Sequence, residues 1–178
     1  GFVTVLAILY ALNIAPTYQA SSSFTLPSTI SVTTINKLQL ANETKESVFS
    51  KFLNNLSSKE VQKIAFVEGD FLTLFNPDNS PIDDVDAFIS EATESVRVNS
   101  PSLTKKGQDL GFLTELPYSV TMEGDSAETI SEYLNTLVAL ANSKTIIELI
   151  KLNELSISNR IDEISLERDL LLEQAEKD

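Results

Sequence analysis

From Gly124 onward the chain gives a helix no place to stop. Asp125 with Glu128 is a D-x-x-E start signal, and from there to Asp178 there is neither glycine nor proline. A single helix over residues 126–178 is about 80 Å long at the standard rise, whereas a compact domain of this chain length has a radius of gyration near 16 Å and a diameter of about 40 Å. Such a helix is expected to leave its own globule, so its far end needs company from elsewhere.

The apolar positions divide this helix in two. Ile130, Tyr133, Leu134, Leu137, Val138 and Ala141 make a broad face suited to covering a sheet; of these, Ile130, Leu134, Leu137 and Val138 are assigned to packing on the domain. Further on, Ile147, Ile150, Ile157, Ile161, Ile164, Leu171 and Ala175 follow a three-four alternation interrupted by Glu154 and Arg168 at seam positions. Left in water, that stripe exceeds the apolar patches soluble monomers tolerate. No second helical segment of comparable length lies within the 178 residues, so the partner is a further part of the same chain or another subunit. Ile147, Ile150, Ile157, Ile161, Ile164 and Leu171 are therefore the candidate oligomer or stalk contacts.

Composition narrows the chemistry. The formal charge is −13, from 26 acidic and 13 basic side chains; phosphate neutralisation is missing, and nucleic acid is not an expected partner. The absence of His and Cys removes Ser-His-Asp and Cys-His nucleophiles, thiolate metal sites and imidazole ligands. Carboxylate-pair hydrolysis survives that cut, but any acidic protein offers such pairs. No cofactor and no metal is expected. The charged fraction, 22%, and the hydrophobic fraction, 42%, suit one domain with a real core plus an extension.

At the other end, Phe2 to Leu12 carries no charge and is followed by Asn13, Ile14, Ala15 and Pro16. These eleven residues cover about 17 Å of a hydrocarbon core of roughly 30 Å. The favoured reading is the last part of a transmembrane helix, residues 1–16. A signal sequence is the rival, for which the basic n-region is lacking; a buried core helix is the third reading. The first 42 residues hold one basic residue, Lys37, and no acidic one.

Between these ends the pattern is mixed. Tyr18 to Leu26, uncharged and bounded by prolines, reads as a strand. Val48, Phe49, Phe52, Leu53 and Leu56 form a helical face within Thr44 to Leu56, and Ser57 with Glu60 starts a second helix burying Val61, Ile64 and Ala65. After the turn-rich run at residues 76–81, Val85, Ala87, Phe88, Ile89 and Ala92 mark a short helix reaching about Glu94. Val96 to Leu103 reads as a strand with Tyr118 to Met122 as its antiparallel partner.

Several tempting features have plainer explanations. Asp78, Asp83, Asp84 and Asp86 fail as a calcium loop, since the sixth place lacks Gly and the twelfth is Ile89; they suit a helix N-terminus. Lys105 and Lys106 are either a glycan contact or, more simply, a solvated loop pair. Glu148, Glu154, Glu163, Glu167 and Glu173 read as the wet side of the stalk. Asn42-Glu43-Thr44 and Asn55-Leu56-Ser57 match the glycosylation acceptor pattern, which matters only for a secreted eukaryotic protein.

Three pieces carry a resemblance by their order: Ala15-Pro16-Thr17-Tyr18-Gln19-Ala20 after the apolar run, Tyr118-Ser119-Val120 before Asp125-Ser126-Ala127-Glu128, and Ile161-Asp162-Glu163-Ile164-Ser165-Leu166-Glu167-Arg168 in the long helix. Together they resemble the chain length determinant family, the Wzz-type polysaccharide co-polymerases of bacterial inner membranes, over most of the chain but as an N-terminal portion. The resemblance implies two membrane spans, a large periplasmic part, a bell-shaped homo-oligomeric ring, and control of the modal length of O-antigen or a related lipid-linked polysaccharide beside a Wzy-type polymerase. It implies no enzymatic activity. The family's cytoplasmic N-terminus, returning helix and proline-rich second span have no counterpart in these residues.

The expectation is thus an α+β fold: a small mixed sheet with flanking helices as a membrane-proximal base over residues 17–125, and one very long projecting helix over 126–178. The location expected is the bacterial inner membrane, with the bulk of the chain periplasmic and the N-terminal apolar segment in the membrane. The rival is a periplasmic adaptor of an export or secretion machine using a coiled-coil hairpin. That reading calls for a flanking biotinyl-lipoyl-like or barrel domain, whose glycine-rich strand pattern is absent.

Overall fold

The computed structural model describes residues 16–28, 32–33, 36, 43–100 and 117–176. Its elements run in the order β1 (Tyr18–Phe24), α1 (Lys45–Ser57), α2 (Lys59–Glu68), α3 (Phe71–Phe75), α4 (Val85–Ala92), β2 (Arg97–Asn99), β3 (Tyr118–Gly124) and α5 (Ala127–Ala175). This is the expected α+β class with one very long helix. The described residues form two compact units, those within 1–25 and 57–138 and those within 26–56 and 139–178. Helix α5 contributes Ala127 to Val138 to the first and the remainder to the second.

In the first unit the three strands lie in the order β1-β3-β2, both neighbours antiparallel to β3. Strand β3 is central because its alternation is the strongest: Val120 and Met122 are fully buried, while their neighbours point to the other face. Tyr18 pairs with Gly124 and Phe24 with Tyr118, whose rings stack at 6.5 Å. The strand expected at 96–103 is seen as Arg97–Asn99, with residues 101–116 outside the described residues. Just before it, the Ser95 hydroxyl donates to the Glu123 carbonyl and accepts from the Glu123 N–H, so a side chain continues the ladder where the backbone leaves it.

The core of this unit is a cluster of rings. Phe66 of α2 lies 5.0 Å from Phe75, 5.7 Å from Tyr133, 6.1 Å from Phe71 and 6.3 Å from Phe88, mostly tilted or edge-on, the arrangement the ring quadrupole favours. Tyr133 is buried, and its hydroxyl donates to the Gln62 carbonyl at 3.2 Å; burial pushes that hydroxyl well above its ordinary pKa. Ile130, Leu134 and Leu137 are buried beside it and Val138 half-buried. The tight turn into α3 needs Gly69, since a Cβ there would stand 2.1 Å from the Phe71 ring.

Two helix starts fall one residue later than the spacing suggests. Ser57 is the last residue of α1, so Ser58 caps α2 and accepts from the Val61 N–H. Likewise the Ser126 hydroxyl, not the Asp125 carboxylate, accepts from the Thr129 N–H at the head of α5. Helix α4 is capped by Asp84, which accepts from the N–H groups of Asp86 and Ala87 at 2.9 and 3.0 Å.

In the second unit α1 buries Phe49 and Leu56, and α5 buries Ala141, Thr145 and Leu149. The buried Asn55 amide donates to Thr145 Oγ1 at 3.1 Å and to Glu148 Oε2 at 3.2 Å, while the Thr145 hydroxyl donates to the Ala141 carbonyl. Before α1, Glu43 receives Lys51 Nζ at 2.8 Å and the Ser47 hydroxyl. Burial works to raise the Glu43 pKa, but Lys51 and Ser47 outweigh it and hold the carboxyl below its ordinary value of 4.5. A carboxylate depressed in the folded state contributes stability above its unfolded pKa and loses it as pH falls through the folded one. Stability measured by urea melts is therefore expected to fall on acidification below about pH 4.5, and Lys51→Met is expected to flatten that part of the profile; an identical slope in the variant would contradict the assignment.

Candidate assembly surface

The surface is built by helical spacing. Ala141, Thr145 and Leu149, four apart, face inward in the second unit. Ile150 comes nine positions after Ala141, about 180° round the helix at 3.6 residues per turn. It belongs to a row with Ile147, Ile157, Ile161, Ile164 and Leu171, exposed by between 37% (Ile157) and 64% (Leu171). This row contains every residue expected as an oligomer or stalk contact, and the chain's described residues leave it uncovered. Ile146 and Leu172 widen it.

A second row was not foreseen from the seam spacing. Leu152 lies eleven positions after Ala141, within about 20° of the inward face, and Leu155, Leu166 and Leu170 continue that line. All four are exposed, by 42% to 66%. From Leu152 to Ala175, then, α5 keeps an apolar row on each of two opposite sides, with no buried residue between. Helices of this kind draw most of their stability from packing rather than propensity, and the β-branched isoleucines lower the propensity further. Intrahelical ion pairs such as Arg160 with Glu163 at 2.8 Å contribute a few tenths of a kcal/mol each. Fully burying an exposed Ile or Leu side chain is worth roughly 1.5–3 kcal/mol, so covering even the half or so that several of these residues still expose would outweigh the ion pairs on this segment.

The remaining candidates resolve into structure. Asp84 is a cap and Asp86 pairs with Lys63 at 2.6 Å; among the described residues no group of three or more acidic side chains is placed to hold a metal ion. Glu148, expected on the wet side, is half-buried and accepts from Asn55; Asn55 itself, one of the two glycosylation matches, is buried with its amide engaged. An open cleft of about 360 Å³ by Phe88, lined also by Asn76, Ser80, Ile82, Asp83 and Glu91, encloses no buried acid pair. Lys105, Lys106, Asn42 and the apolar run at 2–12 lie outside the described residues; among those described, no helix is long and apolar enough to cross a membrane.

No family model matches the chain, and no curated protein matches it either.

Proposed function

We propose that the chain is a non-enzymatic, oligomeric scaffold that regulates the chain length of a bacterial surface polysaccharide of the O-antigen type, its bulk periplasmic and its N-terminal apolar segment in the inner membrane. The reading is carried by the uncovered Ile147–Leu171 row on α5: a surface built for association, on a chain with no His and no Cys. The resemblance of the three ordered segments to the chain length determinant family supplies the biological direction.

On this reading the work is geometric. Copies stand side by side in a ring, and the assembly sets how long a Wzy-type polymerase keeps extending a lipid-linked glycan. Deleting the gene is expected to abolish the modal cluster in the polysaccharide ladder on a gel while polymer is still made. An unaltered ladder, or complete loss of polymer, would contradict the proposal; the latter would indicate a part in synthesis itself.

A further inference from the structure

The proposed membrane segment ends almost where β1 begins, which gives one end of the sheet a partner. Resting on that segment's place in the inner membrane, we infer that the Tyr18 end of the three-stranded sheet is a lipid contact: the Tyr18 ring lies in the phospholipid headgroup layer, and the sheet stands end-on above it.

Register makes Tyr18 an exception within its strand. Tyr18, Ala20, Ser22 and Phe24 alternate onto one face and pair with Gly124, Met122, Val120 and Tyr118, so they share the face of the buried Val120 and Met122. Ala20, Ser22 and Phe24 are half-buried there, whereas Tyr18 is 43% exposed. The residue opposite is the cause. Gly124 has no side chain to lay beside the ring, and a Cβ there would stand 2.7 Å from Ile130 Cγ2.

The short connection sets the height. Strand β1 starts two residues after Pro16. Ala15, just before that proline, is three residues from Tyr18, a reach of at most about 10 Å, and the headgroup layer on each side of the hydrocarbon is about 5–7 Å deep. The ring is thus held at the level where tyrosine collects, its apolar body on the acyl boundary and its hydroxyl in the wet layer. Chain added alongside β1 leaves that height unchanged. Charge offers no other way to hold this end down: Glu123, Asp125 and Glu128 are exposed beside it, and an anionic bilayer repels them. The contact is amphipathic rather than electrostatic.

The chain contains no tryptophan, so one introduced at a time reports depth. Full-length Leu9→Trp, Tyr18→Trp and Ser23→Trp are reconstituted in vesicles of phosphatidylethanolamine and phosphatidylglycerol that carry either a headgroup spin label or bromines deep in the acyl chains. Emission from Leu9→Trp is expected to be lost most to the deep bromines and that from Tyr18→Trp most to the headgroup label. Ser23→Trp, five residues or about 17 Å further along β1, is expected to lose emission to neither. Loss at Leu9→Trp with none at Tyr18→Trp would overturn the contact and leave the membrane segment standing. Stronger loss of Tyr18→Trp emission to the deep bromines would overturn the headgroup placement, and equal loss at Tyr18→Trp and Ser23→Trp would overturn the end-on sheet. No loss at Leu9→Trp would overturn the membrane segment and the contact with it.

Discussion

Ile161→Asp is expected to dissociate the assembly while leaving the single copy folded. Ile161 is 58% exposed and touches none of the buried face formed by Ala141, Thr145 and Leu149, so within one copy the change is a surface substitution worth about 0.5 kcal/mol, mostly helix propensity. In the proposed assembly the carboxylate would be buried against apolar side chains. Desolvating it without a partner costs at least about 3 kcal/mol per interface, or more than about 100-fold in association. Light scattering over a concentration series measures the first effect and circular dichroism melting the second. An unchanged oligomer would remove the Ile row from the interface, and loss of the base unit's own cooperative melt, beyond fraying of the uncovered end of α5, would show that the row packs within its own copy.

Phe66→Ala is expected to have the largest effect on folding. Four rings, contributed by α3, α4 and α5, converge on this one side chain, so the space it leaves cannot close without moving three helices at once. Such deletions cost about 3–5 kcal/mol, a large share of the 5–15 kcal/mol typical of whole domains. Tyr133→Phe is the control: it keeps the ring, loses the hydroxyl's bond to the Gln62 carbonyl, and is expected to cost about 1 kcal/mol. Urea unfolding of both separates packing from hydrogen bonding; a cost below about 1.5 kcal/mol for Phe66→Ala would mean the cluster collapses and is not a rigid centre.

What could be read from the residues alone follows a physical division. The long helix was legible because a stretch lacking Gly and Pro has nothing to interrupt it, and β3 because Val120 and Met122 alternate against polar neighbours. The caps slipped by one where two polar residues stand together, Ser57-Ser58 and Asp125-Ser126; the end of the preceding element, helix α1 in the first case and strand β3 in the second, decides between them and not the pattern. The ring cluster gave no local sign, since Phe66, Phe71, Phe88 and Tyr133 come from separate elements and meet only in three dimensions.

The candidate surface was half legible. A heptad search finds the Ile row because its spacing is regular. The Leu row emerges only once Ala141, Thr145 and Leu149 are seen to be buried, which shows that Leu152 and Leu155 prolong the packed side of α5 past the point where the described residues cover it. The reverse error appears at Asn55 and Glu148, whose residue types suggest solvent: Asn55 lies opposite Thr145 in a buried polar contact, and Glu148, one turn beyond Thr145 on α5, reaches the same amide from a half-buried position.

One measurement joins the assembly surface to the proposed role: the polysaccharide ladder of cells whose only copy of the gene carries Ile161→Asp, with the protein present at its normal level. The expected ladder lacks a modal cluster and matches that of the deletion. A ladder indistinguishable from the unmutated strain would contradict the account, because the scaffold would then set length without the row on which it is held to assemble.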